Sequence, residues 1–166
     1  MNQLSEIDCK ILKLLQNDGR MGNTAISREL GLTHTMVARR LEAMEKSGLI
    51  SGYQAIVNPA AIGLGETIFV MVQLKSHGDG VTEKFENDIR DDFPNVIETA
   101  KLSGTWDYIL RIAAHSMKHC DEIHTKIGKM PEVKLLRSFP TFSVTTRPIP
   151  LPEPHIKTDQ LQEPME

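Results

Sequence analysis

The stretch NTAISRELGLTHTMVARRLEAMEKSGLI, residues 23 to 50, constrains this chain more than any other, because two short amphipathic runs meet there at a single glycine, Gly31. Asn23 or Thr24 opens the first run, whose Ile26 and Leu30 face inward, and Gly31 supplies a left-handed position where the backbone can turn sharply. Thr33 then caps a second run in which Val37, Leu41 and Met44 fall at helical spacing and bury together, so that Thr35, Arg39, Glu42 and Lys46 point elsewhere. Two helices held at a fixed angle, the second with Arg39 and Arg40 early in it, have the geometry by which side chains enter a DNA major groove. His34 and Thr35 are placed to reach phosphates or base edges, Arg39 to reach guanine and Arg40 to anchor the DNA backbone, and Lys46 completes the candidate donors.

The flanks extend this module to residues 1–58. Ser5 is an N-cap with Asp8 as an imperfect capping box, and Ile7, Ile11, Leu14 and Leu15 recur at helical spacing until Asp18-Gly19. After Ser47-Gly48 stops the reading helix, LISGYQAIVNP reads as two short extended runs about a Ser51-Gly52 turn, a small β-wing. Residues 59–65 read as a linker, their apolar stretch too short for a stable helix. Gly63-Leu64-Gly65 precedes a strand, so it is not a phosphate-cradling loop.

A compositional break marks a second domain over residues 66–145: all five Phe lie after residue 65, whereas the first 60 residues pack with Leu, Ile and Met. ETIFVMVQLK, VIETAKL, DYILRIAA and VKLLRSFPTFSV read as strands. Val81, Phe85 and Ile89 define one helix face, and Met117, Cys120, His124 and Ile127 another. The echo of FPNV and MPEV marks two half-units in which Pro ends each helix and sends the chain out extended. The expected class is α+β, a winged helix-turn-helix followed by a ferredoxin-like βαββαβ domain. Residues 146–166, with Pro148, Pro150, Pro152, Pro154 and Pro164, read as a tail with a polyproline-like start and a disordered end.

Other classes of function find little support. The net charge of -3 argues against a nonspecific polybasic coat, although local patches need no global positive charge. Cys9 and Cys120 are too few and too far apart for a disulfide framework, and no apolar run approaches the roughly 20 residues that span a bilayer. A cytoplasmic, nucleoid-associated chain without a membrane is expected. His115, His119, Cys120 and His124 have metal-like spacing but fall on different helix faces, so neither metal nor cofactor is expected. No Ser or Cys stands in a nucleophile-elbow context, and the carboxylates from Glu83 to Asp92 form a solvated face.

The sharpest feature of the second half is SGTWD, residues 103–107, a tight hairpin joining the two half-units. It admits two readings. In one, Gly104 supplies the turn and Asp107 bonds the loop backbone. In the other it is a ligand lip, where free N–H groups near Gly104 take a carboxylate, Asp107 an ammonium and Trp106 closes over a side chain, chemistry suited to an amino acid.

The chain resembles the Lrp/AsnC, or feast/famine, transcriptional regulators over nearly its whole length. The resemblance is carried by LSEIDCKILKLLQNDGR, the ungapped GLTHTMVARRLEAMEKSGLISGY, VNPAAIGL and SGTWDYIL. It implies a sequence-specific DNA-binding regulator of amino acid or related metabolism that recognises double-stranded DNA at an imperfect palindrome. It further implies a homodimer formed by pairing of effector-domain sheets, extending in many members to an octamer. A small amino acid-like effector is implied between effector domains near Gly104, Thr105, Trp106 and Asp107, with Ser138 at a position commonly Thr. The chain departs from the family pattern at Leu136, where many members carry a second Thr, at the bulky Trp106, and at His34 and Met36, which replace prolines. Two other classes remain open. One is a metabolic enzyme or ligand-binding module using His115 and Asp107; the other is a nucleoid-architectural protein with little sequence preference.

Overall fold

The capping box at Ser5 forms in full: Ser5 Oγ accepts from Asp8 N at 3.1 Å and the Asp8 carboxylate accepts from Ser5 N at 3.3 Å. It starts helix α1, Glu6–Asn17. In the computed structural model, which describes residues 4–78 and 80–151, the chain forms two units, residues 4–56 with 147–151, and residues 57–146.

In the first unit α1 is followed by α2, Asn23–Leu30, and α3, His34–Lys46. Gly31 ends α2 at φ 66°, the left-handed region its missing Cβ makes accessible, and the Thr33 hydroxyl caps α3 by accepting from Met36 N. Ile11, Leu12, Ile26, Val37, Leu41 and Met44 form the core. Fully burying a side chain of this kind contributes about 1.5–3 kcal/mol, enough to set the helix angles. Ile7, Leu14 and Leu15 pack around that core half-buried, and Leu12 takes the inner place on α1 that their spacing suggested for them.

The expected wing does not form as a hairpin: residues 51–58 follow an irregular path with no strand. The reason is local. Ile50 N donates to Met44 O and closes the end of α3, so the first of the two runs is consumed by the helix terminus. A two-stranded ribbon that short has too little ladder to persist unaided. Tyr53 folds back instead and donates its hydroxyl to Glu45 at 2.9 Å. The stretch expected to be a plain linker contains a 3-10 turn, Pro59–Ile62, capped by the Asn58 side chain and closed by Gly63 at φ 81°.

The second unit runs β1 (Glu66–Leu74), α4 (Val81–Asp92), β2 (Val96–Lys101), β3 (Tyr108–Ala114), α5 (Met117–Gly128) and β4 (Val133–Pro140). The strands form one antiparallel sheet in the order β2-β3-β1-β4, the ferredoxin-like arrangement of two interleaved half-units. Period-2 alternation sends Ile68, Val70, Val72 and Leu74 to the helix-covered face with Tyr108, Leu110 and Ile112. Phe85 and Ile89 of α4 and Cys120, Ile123 and Ile127 of α5 complete this core. Tyr108 stacks against Phe85 at 4.9 Å and donates its hydroxyl to Glu86 at 2.6 Å, tying α4 to β3. Two expectations change here. The α5 seam is Cys120, Ile123 and Ile127, leaving Met117 and His124 at its margin, and β4 ends at Pro140, well short of Val144. The other sheet face carries Leu135, Arg137 and Phe139 exposed on β4, with the Arg137 guanidinium 5.5 Å from the Phe139 ring centroid. Residues 145–151 have no regular structure, and the expectation of a disordered end falls on 152–166, outside the described residues.

Candidate DNA-reading surface and effector site

Burial of Val37, Leu41 and Met44 fixes which side of α3 is free, and His34, Thr35, Arg39 and Lys46 are all exposed on it. The first turn of α3 holds no acidic residue, so its N–H groups and macrodipole present positive potential to an approaching phosphate. Arg39 has no ion pair or hydrogen bond among the described residues, whereas Lys46 pairs with Glu42 on the same helix face.

Arg40 is placed differently from Arg39. Its Nη1 donates to Asp8 Oδ1 at 2.8 Å and to Ser5 Oγ at 3.1 Å, fastening α3 to the start of α1. Burial alone would raise the Asp8 carboxyl; the Ser5 hydroxyl, the Arg40 guanidinium and the Ser5 N–H outweigh it and hold it below its ordinary value. This geometry makes Arg40 a positioning residue and leaves Arg39 as the free guanidinium.

In the second unit the hairpin is locked by its aspartate. Leu102 N donates to Asp107 O at 2.7 Å and Asp107 N to Val72 O at 2.9 Å. Asp107 Oδ2 accepts from Leu74 N at 2.7 Å, and Oδ1 lies 2.6 Å from His77 Nε2. Burial pushes the Asp107 carboxyl up, but the Leu74 N–H, His77 and Lys101 together bring it below the usual carboxylate range. Gln73 Nε2 donates to Thr105 O at 3.1 Å, and Trp106 is half-buried beside the turn. Gly104 sits at φ 122°, a backbone angle few side chains tolerate.

Ser138 is elsewhere on the sheet. It pairs with Val70, on the far side of β1 from the hairpin, while Asp107 lies just past the row formed by Tyr108, Val72 and Leu136. Ser138 lines a cavity of about 390 Å³ with Met117, Asp121, His124 and Leu136. Within one chain, therefore, Gly104–Asp107 and Ser138 do not share a site. Sequence reading did not single out Asp121 or His77; the run Ser76-His77-Gly78 after β1 was the only local signal for the latter. His115 and His119 stack with ring centroids 4.1 Å apart, and among the described residues no three His, Cys, Asp or Glu side chains could hold a metal ion. No described helix is long and apolar enough to cross a membrane.

A three-helix reading module followed by a βαββαβ sandwich defines a helix-turn-helix regulator with a ligand-binding domain. Residues 4–45 match the AsnC-type helix-turn-helix domain and residues 67–148 the Lrp/AsnC ligand binding domain. The chain is 30% identical over 163 residues to a glutamate uptake regulatory protein of Zymomonas mobilis, covering 96% of this chain and 98% of that one. It is 33% identical over 133 residues to a proline dehydrogenase transcriptional activator of Rhodobacter capsulatus, covering 80% and 86%. Among solved structures, a transcriptional regulator from Neisseria meningitidis in complex with L-Met aligns with a TM-score of 0.81 and 27% identity over 90% of this chain and 96% of that one. An AsnC family transcriptional regulator from Agrobacterium tumefaciens aligns with a TM-score of 0.80 and 26% identity over 89% and 96%. The chain belongs to the Lrp/AsnC family of transcriptional regulators.

Proposed function

We propose that this regulator acts on genes of amino acid metabolism, reading an imperfect palindrome as a homodimer and responding to a small amino acid-like effector. The observation that carries the reading is the free Arg39, exposed beside His34 and Thr35 on a helix whose opposite side is buried. Symmetric dimers present two such helices, so half-sites separated by about 10 bp or a multiple are expected. In this reading the chain acts by binding rather than catalysis, and it works in the cytoplasm at the nucleoid, where double-stranded DNA is its partner.

The cavity beside Ser138 supports a lodging for the effector in the second unit. The hairpin and Ser138 lie apart within one chain, so a ligand touching both bridges two protomers. A cavity of about 390 Å³ fits one amino acid. Asp121 and Ser138 offer partners for an ammonium, Met117 and Leu136 an apolar wall, and the free N–H groups of a neighbouring Gly104 hairpin a cradle for the carboxylate. Asp107, with both oxygens engaged by its own chain, shapes the hairpin. Such a ligand shifts DNA affinity only through a difference in affinity between two assembly states.

The test is retention of fragmented genomic DNA by the purified protein at near-physiological salt, with and without a pool of the twenty amino acids. Enrichment of a few loci sharing an imperfect palindrome, altered by the pool and lost in Arg39→Ala, is the expected result. Uniform retention indifferent to sequence would overturn specific reading and indicate an architectural role.

A further inference from the structure

Arg147-Pro148-Ile149-Pro150-Leu151 belongs to the DNA-binding unit, although it follows the last strand of the effector unit. The Ile149 carbonyl accepts a hydrogen bond from Gln16 Nε2, on the last turn of α1, at 2.9 Å. Leu151 packs half-buried on the cluster that contains Ile11, Leu12, Val37 and Leu41. Pro148 and Pro150 fix φ at alternate positions and remove their own donors. The segment is thereby stiffened before it docks, and little ordering entropy opposes the contact.

Both ends of this segment lead to functional elements. Upstream, β4 carries Ser138, and directly after it Thr141 is pinned to the Thr67 carbonyl through both its N–H, at 3.1 Å, and its hydroxyl, at 2.8 Å. Only residues 142–146 then separate that anchor from the docked segment, at most roughly 3.6 Å of reach each. Downstream, the segment grips α1, the same helix whose Asp8 fastens Arg40 of the reading helix.

We propose that residues 147–151 are a docked strap, held by Gln16 and the core of the DNA-binding unit, that transmits the ligand state of β4 to the reading helix. This rests on the function proposed above, and it assigns a role to the Pro-rich segment that neither site uses. Coupling of this kind requires an element with two arrangements, and the contacts that would engage or release together are one hydrogen bond, Gln16 to Ile149, and one half-buried leucine, Leu151.

The test uses the full chain with Leu151→Asp and, separately, Gln16→Ala, whose exposed side chain has no part in the core. Amide exchange of α1 reports docking, and operator affinity with and without the twenty-amino-acid pool reports coupling. In Leu151→Asp, exchange in the last turn of α1 rises about tenfold, the share expected of one hydrogen bond and one half-buried leucine. Operator affinity without amino acids stays within about twofold, while the response to the pool collapses toward none. Gln16→Ala moves both readouts in the same direction, and it alone decides if Leu151→Asp unfolds the unit. Unchanged exchange overturns docking; faster exchange with a full response overturns coupling. A wild-type chain that binds its operator yet ignores every amino acid overturns the effector reading and the coupling with it, while the exchange measurement still decides docking.

Discussion

Replacing Arg39 and Arg40 one at a time by alanine separates reading from positioning. Arg40→Ala removes bonds of 2.8 Å and 3.1 Å and leaves Asp8, whose side chain is 19% exposed, with its Ser5 partners but without its cation. Breaking a fully buried pair costs about 3–5 kcal/mol. Partial solvent access lowers that here to about 1–3 kcal/mol, the range for an unmet hydrogen bond to a charged group. In a domain of this size each kcal/mol lowers Tm by about 4–8 °C. Arg39→Ala removes no intramolecular partner, so stability should stay within about 0.5 kcal/mol. Its operator affinity should instead fall about 5- to 150-fold, the equivalent of about 1–3 kcal/mol for one good base contact. Thermal unfolding followed by amide exchange of α1 and α3 reads the first effect, with emission of the sole tryptophan, Trp106, as the internal reference for the other unit. Operator titration at a temperature where each variant is folded reads the second. This division of roles between Arg39 and Arg40 is refuted if Arg40→Ala weakens DNA binding as much as Arg39→Ala while leaving Tm intact, or if Asp8→Asn in the Arg40→Ala background restores no stability.

Gly31→Ala should destabilise the first unit by about 1–2 kcal/mol through the left-handed φ alone, because a Cβ there meets open space; Gly31→Asn should recover part of the loss in a urea titration. Asp107→Ala frees Leu74 N and His77 and should cost the second unit about 1–3 kcal/mol, with a red shift of Trp106 emission as the hairpin loosens; an unshifted spectrum would refute the locking role. Asp8 and Asp107 both titrate below their ordinary value in the folded chain. Their stabilisation is therefore complete above the unfolded pKa of about 3.9 and is lost as pH falls through the lower folded values. A pH series of thermal melts should show both units weakening below about pH 4, with a flatter slope in Asp8→Asn for the first and in Asp107→Asn for the second.

The fold was legible where its causes are local. Thr33, Gly31 and the 37/41/44 stripe define α3 within residues 31–44, and the repeated Phe-Pro and Met-Pro stops mark both half-units of the sheet. What escaped depends on distant partners. Helical spacing puts Arg40 at the margin of the 37/41/44 stripe and Arg39 opposite it, but the group that holds Arg40 is Asp8, on another helix, which no local pattern names. The engagement of Asp107 depends on Leu74 and His77, from the far end of β1 and the loop beyond it. The wing was misjudged because alternation cannot reveal that Ile50 is already used to end α3. Ser138 was singled out by resemblance, yet the register that turns it toward α5 and away from the hairpin emerges only from strand pairing.

The DNA-binding unit is discontinuous in sequence, since residues 147–151 belong with residues 4–56. A gene fusion that joins the codons for residues 4–56 to another sensor by a single crossover would carry the reading helix but not residues 147–151 of its unit. Interchange of parts among such regulators thus has a hidden requirement. A recombinant keeps the native reading unit only when the coding stretches for residues 4–56 and 147–151 travel together, whereas exchange of the intervening residues 57–146 leaves it whole.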